Sequence, residues 1–399
     1  MTDAMPEKFG KCKIVKELGH GATAYVYLAR HEVLDMPVAV KVLRRGLSER
    51  KPHYAERFLR EAKMAAWLDH PNIVRVIDCG VEHGHHYMVM DYVDGPNCLR
   101  LLGDRPSGME WREAVEVALQ VADALAYAVS RDVIHRDVKP SNIMIDSTGR
   151  ARVTDLGLAK LTIKGMAALT QELHTVGTPN YMSPEQIKSS SDLDLRADIY
   201  SLGASLYHMV CGSPPFNGKT AMEVVAMHVG APLEPPFRRR PGLPRSLSSV
   251  ICKMMAKAPG DRYQDYASLT GDLRNLLAGK ETSAADFHET ALPVRDDELR
   301  DILDQLQFSA GLDIETEEQA PHEDGAEVGQ ERDALGSSDI SPFGPEDYSA
   351  YVPPPEESSA STLLQQARDR RRELIIGLII AGAFVVIVAI ILLVAIGGR

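Results

Sequence analysis

Residues 135–142 read His135-Arg136-Asp137-Val138-Lys139-Pro140-Ser141-Asn142, and thirteen residues after that Asn comes Asp155-Leu156-Gly157. An Asp, a Lys two residues on and an Asn three further bring a proton acceptor, a cation and a hard oxygen ligand into one short loop. Asp155 supplies a second hard oxygen. Upstream, residues 18–26 read LGHGATAYV, a G-x-G-x-x-x-x-V pattern between two β-rich runs, and Val38-Ala39-Val40-Lys41 places a lysine at the end of an apolar strand. Gly19 and Gly21 let backbone approach phosphates where a Cβ would collide. Each piece alone is weak evidence. Glycine-rich hairpins are usually plain turns, strand-end lysines usually sit in water, and Asp and Asn favour turns anyway. The four pieces in this order are highly specific.

On these motifs, residues from about 9 to 279, roughly two thirds of the chain, resemble a protein Ser/Thr kinase, and most of all the bacterial Hanks-type kinases that carry a membrane segment. The resemblance implies an α+β fold of two lobes. A small twisted antiparallel sheet with one key helix would face a larger, mainly helical lobe, with ATP between them. It implies transfer of the ATP γ-phosphoryl to Ser or Thr hydroxyls of protein substrates by positioning and charge neutralisation, without a covalent enzyme intermediate.

Residue by residue, the resemblance makes Asp137 the general base, or at least the acceptor that orients the substrate hydroxyl. Lys139 neutralises the transferring phosphoryl, and Asn142 and Asp155 hold Mg²⁺. Lys41 holds the α/β-phosphates and pairs with a Glu on the next helix, predicted over about Tyr54 to Leu68. Glu61, in F-L-R-E-A, matches the family position, whereas Glu56 reads as a solvated charge. Leu18, Gly19, Gly21, Val26, Ala39 and Met144 line the nucleotide. Met90 guards the adenine pocket, and backbone groups of Asp91 and Val93 bond the adenine edge. Two departures stand out: Ala24 replaces the third glycine, stiffening the loop, and Leu156 replaces a Phe, keeping an apolar packing role.

The activation segment runs from Asp155 to Glu185. Arg136 offers a phosphate-binding cation, with Thr170 and Thr175 as candidate phosphosites, Thr170 first. Thr178 resembles the residue that contacts base and lysine in Ser/Thr kinases. Ser183-Pro184-Glu185 stands where the family has A-P-E. Glu185 is expected to pair with Arg262, and Asp198 to brace the catalytic loop from a buried helix. Strands are predicted over Ile73–Asp78 and Tyr87–Val93, three more between Phe9 and Lys41, and a buried helix over Trp111–Ser130. His83, His85 and His86 read as an exposed hairpin turn rather than a metal site.

Charge is unevenly spread. The net −12 arises because residues 281–360 hold 22 Asp and Glu against three Arg, a local −19, while the remainder carries +7. That mild positive charge suits an anionic nucleotide and does not point to nucleic acid. Five scattered cysteines without a C-x-x-C pair read as reduced cytosolic thiols. The first ten residues lack an apolar run, so no signal peptide is expected.

Residues 280–367 form an acidic, Ser- and Pro-containing linker expected to be disordered. Within it Leu299, Ile302, Leu303 and Leu306 keep helical spacing, which fits either a docking helix or a short transient one. Residues 368–373 are basic, and residues 374–396 give 23 residues without a charge. At ~1.5 Å per residue these span a ~30 Å hydrocarbon core. By the positive-inside rule the kinase stays cytoplasmic behind a C-terminal anchor, with membrane lipid as a partner. With three residues after the span, input is expected from the cytoplasm, from the membrane, or from crowding that favours self-association and trans-autophosphorylation. Gly377-x-x-x-Ala381 is a weak helix-association signal. Two other functions fit the fold: a nucleotide-binding scaffold with little turnover, disfavoured by the complete set Lys41, Glu61, Asp137, Asn142 and Asp155, and small-molecule phosphotransfer, disfavoured by GTPNYMSPE.

Overall fold

The structure, a computed structural model, describes residues 6–50, 52–156, 179–188, 193–285 and 287. The chain divides into two units, Met1–Pro342 and Phe343–Arg399, and every described residue lies in the first. Gly157, Thr170, Thr175, Thr178, the linker beyond Phe287 and the candidate span lie outside the described residues. Among those described, no helix is long and apolar enough to cross a membrane.

Six antiparallel strands make one sheet, ordered β1-β2-β3-β4-β6-β5: β1 Lys8–Phe9, β2 Cys12–His20, β3 Ala24–His31, β4 Met36–Leu43, β5 Val76–Glu82 and β6 His85–Asp91. Side chains alternate across a sheet, and in β4 the alternation has a functional consequence. Val38, Val40 and Val42 join Phe9, Tyr27, Tyr87 and Val89 in an outer core, while Ala39 and Leu43 belong to the main core. Lys41 shares the face of Ala39 and Leu43. β4 pairs with β6 so that Ala39 stands opposite Met90 and Lys41 opposite Met88.

Three strand predictions shift, the one over Tyr87–Val93 running instead from His85 to Asp91. The run between Phe9 and Lys41 holds four strands, the first only two residues long. The strand expected from Ile73 begins at Val76, because residues 72–74 run instead beside the lower lobe: Val74 donates to Val153 O at 2.9 Å and Val153 to Asn72 O at 2.8 Å. His85 is also not in an exposed turn. It is buried and packs edge-on against Phe9, while His83, at φ 50°, makes the turn with Gly84.

Helices α1 (Arg45–Arg50) and α2 (Pro52–Ala65) follow β4, α2 carrying Ala55, Phe58, Ala62 and Ala65 into the main core. The lower lobe is built on α4 (Trp111–Val129) and α6 (Leu195–Cys211), with α3 (Cys98–Gly103), the helical turn α5 (Pro184–Ile187), α7 (Ala221–Gly230), the turn α8 (Pro236–Arg239), α9 (Arg245–Met254) and α10 (Tyr266–Leu277) around them. α6 is buried on nearly every side from Ala197 to Cys211, as a helix at the centre of a domain must be. Gly212 ends it at φ 74°, where an added Cβ would lie 2.1 Å from Pro106 O. The hairpin β7 (Ile143–Ile145) and β8 (Ala151–Val153) closes the cleft from below. The segment after β6 that connects the lobes crosses it closely: a Cβ on Gly95 would meet Ile145 O at 1.9 Å.

Candidate active site

The catalytic loop has little regular structure of its own, so its shape comes from outside. Asp198, 1% exposed on α6, accepts from the backbone N–H groups of His135 and Arg136, each at 2.7 Å. Burial pushes its carboxyl upward, against the pull of His135 and the two amides. His135 is fully buried, and its Nδ1 faces the Asp137 N–H at 3.2 Å. Arg136 adopts φ 64°, a strained value for a side chain of its size, and its carbonyl accepts from Gln186 Nε2 at 2.8 Å. Gln186 escaped the sequence reading, yet Ser183-Pro184-Glu185-Gln186 is a capping-box pattern. Both reciprocal bonds of that box are present.

Three groups meet at the end of this loop. Lys139 Nζ lies 2.9 Å from Asp137 Oδ2, and Asn142 Nδ2 donates to Asp137 O at 2.9 Å and to Asp137 Oδ2 at 3.1 Å. Across the cleft, Lys41 Nζ bridges to Asp155 Oδ1 at 2.7 Å. Asp155 sits at φ 56° and is joined to the loop through Thr154 N–H donating to Asn142 O at 2.9 Å. Leu156 is buried in the main core.

The direct partner of Lys41 therefore differs from the expected one. Glu61 is buried on α2 and acts on Lys41 through its charge, whereas the hydrogen-bonded bridge goes to Asp155. Glu56 is exposed. Burial works to lower the Lys41 ammonium, but Asp155 and then Glu61 outweigh it and hold it above its ordinary value. Burial pushes the Glu61 carboxyl up to about 7, Lys41 opposing and Asp155 and Asp137 adding to the rise. Both Asp137 and Asp155 thus act on the same two charges on the upper lobe.

This yields a prediction with a definite sign. The folded Glu61 carboxyl titrates above its ordinary 4.5. Its contribution to stability is full below that value and is lost as pH rises through about 7. Glu61→Gln should then melt a few degrees above the wild type at pH 8 and level with it near pH 5, while losing activity because Lys41 has one counter-charge fewer. Thermal melts at the two pH values check this. A variant less stable at pH 8 would show that the ion pair outweighs the burial.

Above these charges, Ala39 and Met90 are buried, and Leu18, Val26 and Met144 are partly exposed. Val93 is buried. The Asp91 N–H is taken by Arg75 O at 2.9 Å, so a backbone bond from Asp91 to a base edge must come through its carbonyl. Among the described residues, nothing lies within 4 Å of a Cβ built on Gly19 or Gly21. The loop therefore borders open space of the kind a phosphate chain needs, and the carboxylate and amide oxygens below are the donors Mg²⁺ prefers. The residues present fit both groups.

Residues 12–270 match the family model described as the protein kinase domain. The chain belongs to the protein kinase family. Its kinase domain is 40% identical over 271 residues to serine/threonine-protein kinase PknB of Mycobacterium leprae, covering 67% of this chain and 43% of that protein. It is 33% identical over 289 residues to serine/threonine-protein kinase PrkC of Bacillus subtilis, covering 72% and 43%. The chain thus spans less than half the length of these relatives. Among solved structures, the Mycobacterium tuberculosis PknI kinase domain superposes with a TM-score of 0.55 at 31% identity, covering 69% of this chain and all of that one.

In this kinase domain, the Glu185 carboxylate meets Arg262 with both oxygens, at 2.6 and 2.9 Å. Arg262, with its side chain fully buried, also donates to the carbonyls of Ala256, Arg196 and Lys257 and lies over the Tyr200 ring. Tyr181, just beyond the activation segment's undescribed part, bonds His208 Nδ1 at 2.7 Å and stacks on its ring. Neither His208 nor the Asn72 contacts to Ala151 O and Gln120 were marked by any motif.

Proposed function

We propose that the chain is an ATP-dependent protein serine/threonine kinase, tethered to a membrane by residues 374–396 with its kinase domain in the cytoplasm, and activated by phosphorylation of the activation segment. One observation carries the catalytic part: Lys41–Asp155 and Lys139–Asp137–Asn142 converge below an open glycine loop. The names borne by PknB and PrkC support the choice of Ser and Thr as acceptors.

Each residue then has a task. Lys139 and Asn142 hold the Asp137 carboxylate, which accepts the proton of the incoming hydroxyl. Lys139 remains beside it as a cation for charge gathering on the transferred group. Lys41 holds the α/β-phosphates, kept charged by Asp155 and Glu61. Asn142 and Asp155 would hold Mg²⁺, which neutralises phosphate oxygens when bound. Leu18, Val26, Ala39 and Met144 exclude water from the adenine. The test is incubation of the full chain with Mg·ATP and an unstructured protein rich in Ser and Thr. Phosphoserine or phosphothreonine should appear in both; none in either would sink the assignment.

For activation, the supporting observation is Arg136. Its Nε is buried without a hydrogen-bond partner among the described residues, and burial lowers the guanidinium's pKa despite Asp198 nearby. A phosphate from Thr170 or Thr175 would answer that unmet donor. Replacing both by Ala should lower activity and leave the melting temperature in place, and the rate of self-phosphorylation per chain should rise with concentration if the reaction runs between molecules. Unchanged activity in the double variant removes this part. Membrane tethering is tested separately, by whether deleting residues 374–396 releases the protein from membranes on fractionation.

A further inference from the structure

A basic surface on the lower lobe takes no part in the chemistry above. Residues 237–245 read Phe-Arg-Arg-Arg-Pro-Gly-Leu-Pro-Arg. Arg240 turns inward and donates to Met109 O and Val210 O, both at 2.7 Å. Arg238, Arg239 and Arg245 are exposed, and the guanidinia of Arg238 and Arg245 lie over the Phe237 ring at 5.9 and 4.6 Å. Among the described residues, the ion pair recorded for these three is Arg239 with Glu234, at 3.9 Å. Two guanidinia over one aromatic ring, with Arg239 next to them in the chain and faced by Glu234, make a basic surface that attracts carboxylates.

The chain leaves the domain close by. Ser283 is fixed to Asp272 through its N–H at 2.8 Å and its hydroxyl at 2.7 Å, and Lys253 donates to its Oγ at 3.1 Å. Ala284 is fully buried and Phe287 packs on the main core. Lys253 and Arg245 lie on the same helix, α9, eight residues or ~12 Å apart along its axis. The exit and the basic surface are thus at the two ends of one helix. Downstream, residues 313–327 read DIETEEQAPHEDGAE, seven carboxylates with no Lys or Arg. Twenty-five residues lie between Phe287 and Asp313, and a flexible chain of that length has a reach of ~28 Å.

We propose that the surface of Arg238 and Arg245 over Phe237, flanked in the chain by Arg239, docks the chain's own acidic stretch 313–327. Single exposed ion pairs are weak, but seven carboxylates tethered within this radius are presented at an effective concentration near the millimolar range. The contact is therefore multivalent, intramolecular and sensitive to salt. It would place the acidic stretch over the lower lobe, where an acidic segment of another protein would have to compete with it.

The test uses the full chain carrying Arg238→Lys and Arg245→Lys, which keep the charge and introduce amines that a zero-length carbodiimide can join to carboxylates. At low salt, mass spectrometry should find amide links from the two introduced amines to carboxylates of 313–327 within one chain. These links should fall several-fold at ~0.5 M NaCl, where screening acts within ~4 Å, and vanish when the seven carboxylates are replaced by amides. Links only to other carboxylates, links only in species of doubled mass, or no links while native lysines react would each overturn the proposal. Doubled mass would indicate a second copy as the occupant.

Discussion

Asp137→Asn is expected to lower phosphoryl transfer by ~10²–10⁴ while leaving nucleotide binding and the melting temperature nearly unchanged. The substitution keeps the shape. The remaining side-chain oxygen can still accept from Lys139, and the Asp137 carbonyl still accepts from Asn142. What disappears is an atom able to take the hydroxyl proton. Lys41, Asp155 and the apolar walls of the cleft lie elsewhere, so affinity for the nucleotide should survive. Phosphate incorporation with Mg·ATP, measured beside nucleotide binding on the same full-length preparation, separates the two effects. Equal incorporation by variant and wild type would remove Asp137 from the chemistry and leave the scaffold reading in its place.

The largest expected effect on stability belongs to Arg262. Arg262→Met should cost ~3–5 kcal/mol, because it leaves the Glu185 carboxylate, 15% exposed, without its partner and frees three carbonyls of their donor. Replacing Glu185 by Gln as well should recover part of the loss, since the uncompensated charge is then gone. Urea unfolding of the single and double variants reads this directly. A single-variant cost below ~1 kcal/mol would mean that the pair behaves like a surface salt bridge. Arg262 joins the end of the activation segment to α6 and the loop after α9, so losing it should loosen the substrate side of the domain first.

The bilobal architecture was legible because its signals are local. H-R-D-x-K-x-x-N names the catalytic loop, the apolar run Val38-Ala39-Val40 marks Lys41 as a strand-end lysine, and the spacing from Ala114 to Leu125 marks α4. Family membership, carried by the match over residues 12–270, agrees with that reading. Contacts between distant segments were less legible. Lys41 and Asp155 are 114 residues apart, and whether the ammonium bonds Asp155 or Glu61 depends on how closely α2 approaches β4, a distance no motif encodes. The late start of β5 has a similar cause: residues 72–74 are diverted by β8, a pairing invisible in local propensity. His85 looked exposed because polar residues usually are, and Phe9 supplied the ring that buries it. Gln186 could have been found, since its capping box is a local pattern.

The two amides that rest on Asp198 carry one more implication. The segment bearing the proton acceptor borrows its rigidity from the most deeply buried helix among the described residues, so it has no independent melting point. On heating, turnover should fade along the same curve as the tertiary signal of the whole lobe rather than several degrees earlier, which would make this an enzyme that stays fully competent until it comes apart.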